Sequence, residues 1–106
     1  MKINIKKEKS GILIELEGVW DMAASEDFVR TCTSSIKKDG NVIIDLSKVE
    51  YIYISGLRQI LYIQYLATMK RTKLKVINVD ERTYKKLLEL NYIERMDIVT
   101  KVEEQS

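Results

Sequence analysis

A chain of 106 residues suits one compact domain, 1–106, and is too short for two. Its 45% apolar and 32% charged content excludes a disordered class, and 18 Lys and Arg against 16 Asp and Glu leave a net charge of only +2. Both signs are interspersed, so no basic surface tracks a phosphate backbone, and nucleic acid is not an expected partner.

The first residues, MKINIKKEKSG, alternate apolar and charged side chains, which predicts a strand and not the apolar core of a signal peptide. A second strand at Ile12–Leu16 follows Lys9-Ser10-Gly11, whose turn residues join the two into a hairpin. After Gly18-Val19-Trp20, the four-residue recurrence of Ala24, Phe28, Cys32 and Ile36 predicts an amphipathic helix, with Asp21 as its cap and Lys37-Lys38-Asp39-Gly40 as its end.

Val42-Ile43-Ile44-Asp45-Leu46 is a β-branched apolar run, expected to form a central strand covered on both faces. A second helix is expected from Gly56 to Lys70, a strand over Leu74–Val79 and a third helix over Glu81–Leu90 with Tyr84, Leu87 and Leu88 on one face and Asn91 ending it. A short connection, Tyr92–Met96, leads to a last strand at Ile98–Val102 and a polar tail. The order β-β-α-β-α-β-α-β predicts an α/β sandwich: a mixed sheet with an N-terminal hairpin and parallel crossovers.

The longest dense apolar stretch, Ile60 to Met69, is broken by Gln64 and Thr68 and falls short of the ~18 residues that a membrane span requires. A soluble cytoplasmic protein without direct membrane insertion is therefore expected. The single cysteine, Cys32, fits a reducing compartment and lies in line with core residues of the first helix.

Histidine is absent, which removes the commonest general base and metal ligand and forbids a Ser-His-Asp or Cys-His arrangement. One cysteine makes no zinc site, and four scattered glycines make neither a P-loop nor a dinucleotide fingerprint. No catalytic residue, metal ligand or cofactor is assigned, and a binding module is expected over an enzyme. Asp45, at the end of its strand, is read as satisfying loop N–H groups.

The segment Val42 to Leu61 carries the functional interest. Ser55 sits at the start of an apolar helix, where unpaired N–H groups and the positive dipole end suit a phosphate or carboxylate. Ser is also favoured as a helix N-cap, and capping and phosphate acceptance are compatible roles. The helix is apolar almost all round, so either a flanking element covers the excess or it forms a docking surface.

GVWDMAASEDF, VIIDLSKVEYIYISGLRQIL and DERTYKKLLELNYIERM together resemble a STAS domain of the anti-sigma-factor antagonist kind, in order and spacing over nearly the whole chain. The most specific part is the Asp-Leu-Ser strand end followed, after a short loop, by Ser-Gly-Leu. The resemblance implies a STAS-like fold and a partner switch. In such a switch the unphosphorylated domain binds an anti-sigma factor serine kinase, freeing a sigma factor; serine phosphorylation breaks the complex and a PP2C-type phosphatase resets it.

By position, the resemblance makes Ser55 the phosphoacceptor, Gly56 its following glycine and Asp21 the loop aspartate near the kinase. Around them, Tyr53, Ile54, Leu57, Arg58 and Gln59 complete the implied partner-binding set. Asp21 equally serves as a helix cap, and Arg58 and Gln59 equally as a solvated face. The family pattern places Asp-Ser or Ser-Ser before the acceptor, where this chain has Tyr53-Ile54. That difference suits an alternative: an accessory subunit of a transporter ATPase, or a scaffold, that binds without phosphorylation.

Overall fold

The structure, a computed structural model, describes residues 1–101. Among these, β1 (Lys2–Glu8), β2 (Gly11–Trp20), α1 (Met22–Ser35), β3 (Asn41–Ile52), α2 (Ile54–Met69), β4 (Lys73–Val79), α3 (Glu81–Glu89) and β5 (Asp97–Thr100) follow the expected order, with a 3-10 turn at Ile93–Arg95 before β5. The strands form one mixed sheet in the order β1-β2-β3-β4-β5. β1 runs antiparallel to β2, and the β2–β3, β3–β4 and β4–β5 pairs are parallel. This is the α/β sandwich that the periodicity predicts.

The hairpin closes at Glu8 opposite Gly11. Gly11 has φ +149°, and a Cβ there would run into the carbonyl of Asn41, so the start of β2 can lie against β3 only as glycine. Alternate residues Ile14 and Leu16 of β2, Val42, Ile44 and Leu46 of β3, and Leu74 and Val76 of β4 are buried. They share one core with Phe28 and Cys32 of α1, Leu57, Ile60, Ile63 and Ala67 of α2, and Leu87 of α3.

The intervening residues Ile43 and Asp45 are only half-buried and Lys75 is exposed. β3 is therefore covered on one face, not on both as its apolar run predicts, because the helices contribute their apolar faces to a single side. β3 also continues past Leu46 to Ile52, pairing Glu17 with Lys48, Gly18 with Val49, Val19 with Tyr51 and Trp20 with Ile52 across two register shifts. The polar Ser47-Lys48 step hides this extension from a reading of hydrophobic pattern.

Asp21 caps α1, its carboxylate accepting the Ala24 N–H at 2.9 Å. The helix ends at Ser35, earlier than expected, because Ile36 turns extended and buries its side chain. α2 begins at Ile54, two residues before Gly56, and ends at Met69. α3 is capped by Asp80, which accepts the Thr83 N–H at 2.8 Å, and it ends at Glu89, with Asn91 left-handed at φ +59° beyond it. Leu88 is exposed instead of stacking with Leu87, since Thr83 and Leu87 set the inward face. The expected strand end at Val102 and the polar tail lie outside the described residues.

Candidate functional site

Trp20, the last residue of β2, organises the region around Ser55. Its indole is fully buried against Phe28, with ring centroids 4.4 Å apart. Its Nε1–H donates to Ser25 Oγ at 3.0 Å, and the Ser25 hydroxyl donates to the Asp21 carbonyl at 3.1 Å, locking the start of α1. Its own carbonyl accepts the Tyr53 N–H at 3.1 Å, which ties the start of α2 to the same residue.

Gly56 completes that junction. A Cβ at this position would stand 2.8 Å from Ile52 Cγ1 and 2.9 Å from Trp20 Cδ1, so α2 reaches the indole because residue 56 has no side chain. The Ser-Gly-Leu sequence thus has a packing reason: Gly56 lies on Trp20, and Leu57 is 0% exposed in the core. Gly56 and Leu57, both counted in the expected partner-binding set, face inward and offer no side chain to a partner.

Tyr53, not Ser55, is the N-cap of α2, and it makes no side-chain cap hydrogen bond. The expectation that Ser55 caps the helix is therefore corrected. Ser55 is the second residue of the helix, half-buried, in a first turn where the Gly56 N–H bonds to the Tyr53 carbonyl at 2.9 Å and no side chain caps the helix. Ahead of it Tyr53 and Ile54 are 51% and 47% exposed. Tyr53 meets Tyr51 edge to face, with centroids 4.9 Å apart.

A groove of about 660 Å³ opens beside Ser55. Asp21, Tyr53, Ile54 and Ser55 of the expected partner-binding set line it, together with Met22, Tyr51, Lys86, Glu89 and Leu90, which that set does not include. Met22 is overlooked because it is an exposed apolar residue beside a cap, and Tyr51 because β3 extends further than its apolar run. Lys86 and Glu89 come from α3 and Leu90 is its C-cap, and no local pattern links them to Ser55. Lys86 Nζ donates to Tyr51 Oη at 3.0 Å and to the Ile52 carbonyl at 3.4 Å, and stands 4.3 Å from the Tyr51 ring centroid. Arg58 is exposed and Gln59 half-buried, one turn further along α2 and outside the groove lining.

Along the outer side of α2, Tyr62, Tyr65 and Met69 are exposed, Met69 to 79%. Of the two explanations for the apolar excess of this helix, a covering element is not found for these three among the described residues. Arg95 reaches across to donate to Tyr65 Oη at 3.2 Å.

Two further groups behave as their positions dictate. Burial pushes the Cys32 thiol up to about 12, so it is an inert core side chain. Partial burial pushes the Asp45 carboxyl up, but hydrogen bonds from the Asn78 amide and from Ser47, together with the Lys48 charge, outweigh it and hold the group below the usual carboxylate range. No cluster of three His, Cys, Asp or Glu residues suited to a metal occurs among the described residues, and no helix there is long and apolar enough to cross a membrane.

A mixed sheet with an N-terminal hairpin and parallel crossovers, helices contributing to one core, and a serine in the first turn of the helix after β3 define an α/β sandwich. The STAS domain family model matches residues 2–105, and the chain belongs to that family. No relative is found among curated proteins by sequence.

Solved structures share the fold. An anti-sigma factor antagonist from Mycobacterium paratuberculosis superposes with a TM-score of 0.80 at 16% identity, covering 92% of this chain and 84% of its own. The anti-sigma factor antagonist SpoIIAA, in its unphosphorylated form, gives 0.73 at 13% identity over 96% and 90%. A sulfate transporter family protein from Wolinella succinogenes gives 0.71 at 18% identity over 85% and 76%.

Proposed function

We propose that this STAS domain, acting as a single unit in the cytoplasm, is an anti-sigma factor antagonist that binds an anti-sigma factor serine kinase and is switched by phosphorylation of Ser55. The observation that carries this reading is the position of Ser55: in the uncapped first turn of α2, lining a groove whose neighbouring Tyr53 and Ile54 are exposed. Asp21, Tyr53, Ile54, Arg58 and Gln59 supply the partner-facing side chains. SpoIIAA, of similar fold, is known in a phosphorylated form.

In the forward step the γ-phosphoryl group of ATP passes to Ser55 Oγ. The P–O bond to ADP breaks, the Oγ–P bond forms and the hydroxyl proton leaves. A PP2C-type phosphatase reverses the modification with water, releasing inorganic phosphate. The domain itself supplies no catalytic group. A phosphate adds about −1.5 to −2 charges to a face that a complex would desolvate, which favours release. The helix N-terminus tolerates the same charge, so affinity changes while the fold persists.

Incubation with ATP and the cognate kinase, followed by intact-mass measurement, tests the assignment. One phosphoryl group is expected on the wild type and none on Ser55→Ala; phosphate that does not depend on Ser55, or none at all, rejects it. A second reading, an accessory subunit of a transporter ATPase, draws on the bulky apolar pair Tyr53-Ile54 and on the likeness to the sulfate transporter family protein. It requires binding to such an ATPase by the unmodified chain, and transporter genes beside the coding sequence would favour it.

A further inference from the structure

The groove beside Ser55 is lined by a cation, Lys86. Lys86 projects from α3 into the same groove as Ser55 and is half-buried. Its ammonium bonds to two neutral oxygens, Tyr51 Oη and the Ile52 carbonyl, and among the described residues it makes no ion pair. Its neighbour Lys85 instead pairs with Glu81 at 3.3 Å.

The other charged groups around the groove narrow the choice. Asp21, at the β2–α1 junction, is engaged with the Ala24 N–H, and Glu89 of α3 is exposed. Arg82 lies 6.0 Å from the Tyr51 ring centroid, and Arg58 sits on the exposed side of α2; neither lines the groove. Lys86 is thus the cation lining the groove among the described residues.

Resting on the reading of Ser55 as the phosphoacceptor, we propose that Lys86 is the counter-ion of the Ser55 phosphoryl group and leaves Tyr51 to meet it. The ammonium now donates to two neutral acceptors, and a phosphate oxygen adds the attraction of an opposite charge, so the ammonium gains by the exchange. Its flexible stem supplies the movement. The exchange has a consequence for the switch: modification of Ser55 removes the cation from the Tyr51 ring and changes the surface that Tyr51 and Tyr53 present, beyond the charge of the phosphate itself.

The full chain with phosphoserine encoded at position 55 tests this pairing without any kinase, so its failure is separate from failure of the acceptor reading. The midpoint of the phosphate titration, followed by phosphorus NMR, is expected to rise by about 0.5 to 1 pH unit in Lys86→Gln, to stay near the parent in Lys86→Arg and to move less in Arg58→Gln. Equal midpoints for the parent and Lys86→Gln, or a larger shift from Arg58→Gln, overturn the proposal. A measurement that leaves Lys86 in place guards against poor folding of the variants. Exchanging serine for phosphoserine at position 55 is expected to move the Tyr51 ring resonances, and an unmoved ring equally overturns the pairing.

Discussion

Helices α1 and α3 begin on aspartates whose carboxylates accept a first-turn N–H, whereas α2 begins on Tyr53 with no side-chain cap. The three starts are held by different means. At α1 and α3 a local side chain satisfies the helix end; at α2 the chain is held from outside, by the Tyr53 N–H bond to the Trp20 carbonyl and by Gly56 against the indole. The helix whose start is fixed by packing is the one that brings a serine to a groove. Its first turn is positioned without using that serine as a cap, so the phosphorylation proposed for Ser55 would leave the helix start held.

The largest expected effect comes from removing what holds the α2 start. Trp20→Ala deletes a fully buried indole, the bond to Ser25 and the surface beneath Gly56, and should cost about 3–5 kcal/mol in denaturant unfolding. A loss below about 1 kcal/mol would mean that α2 is held by something other than this junction.

The caps give a smaller and more direct contrast. Asp21→Ala and Asp80→Ala should each lower stability by about 1 kcal/mol. Tyr53→Asp adds a cap and gives up the ring contact with Tyr51, terms of about 1 kcal/mol each and of opposite sign, so its unfolding curve should lie within about 0.5 kcal/mol of the parent. If Tyr53→Asp costs as much as Asp21→Ala, Tyr53 is holding the helix start in its own right.

Asp45 should give a small effect, and one that depends on pH. Its carboxylate accepts the Ser47 N–H and the Asn78 amide, doing for the bend in β3 what Asp21 and Asp80 do for helices. Because its folded pKa lies below the unfolded value of about 3.9, the ionised group stabilises the fold above that value, and the contribution is lost as pH falls through the folded one. Asp45→Asn should therefore be less stable than the parent near neutral pH, with the gap narrowing below about pH 4. A gap that does not change with pH would assign the effect to hydrogen bonding alone.

The element order was legible in the chain because apolar residues repeat at two residues in β2 and β4 and at three to four in α1 and α3, and each repeat reflects a face that must leave water. Asp21 was legible as a cap for a local reason: its carboxylate bonds a backbone group three residues away. The boundaries at Ile36, Ile52 and Ile54 were less so. Each depends on what lies across the sheet or beneath the helix.

The alternation of Ile14 and Leu16, the recurrence of Phe28 and Cys32, and the Ser-Gly-Leu step determined the α/β architecture and placed Ser55 at the start of a helix, since such patterns act over a few residues. The tertiary structure alone decided that Ser55 is not the cap, that Gly56 and Leu57 face the core, and that Lys86 joins Ser55 at one groove. Those facts depend on Trp20 meeting Gly56 across two loops and on α3 packing beside the end of β3, contacts between residues separated by about 35 positions that no local periodicity encodes.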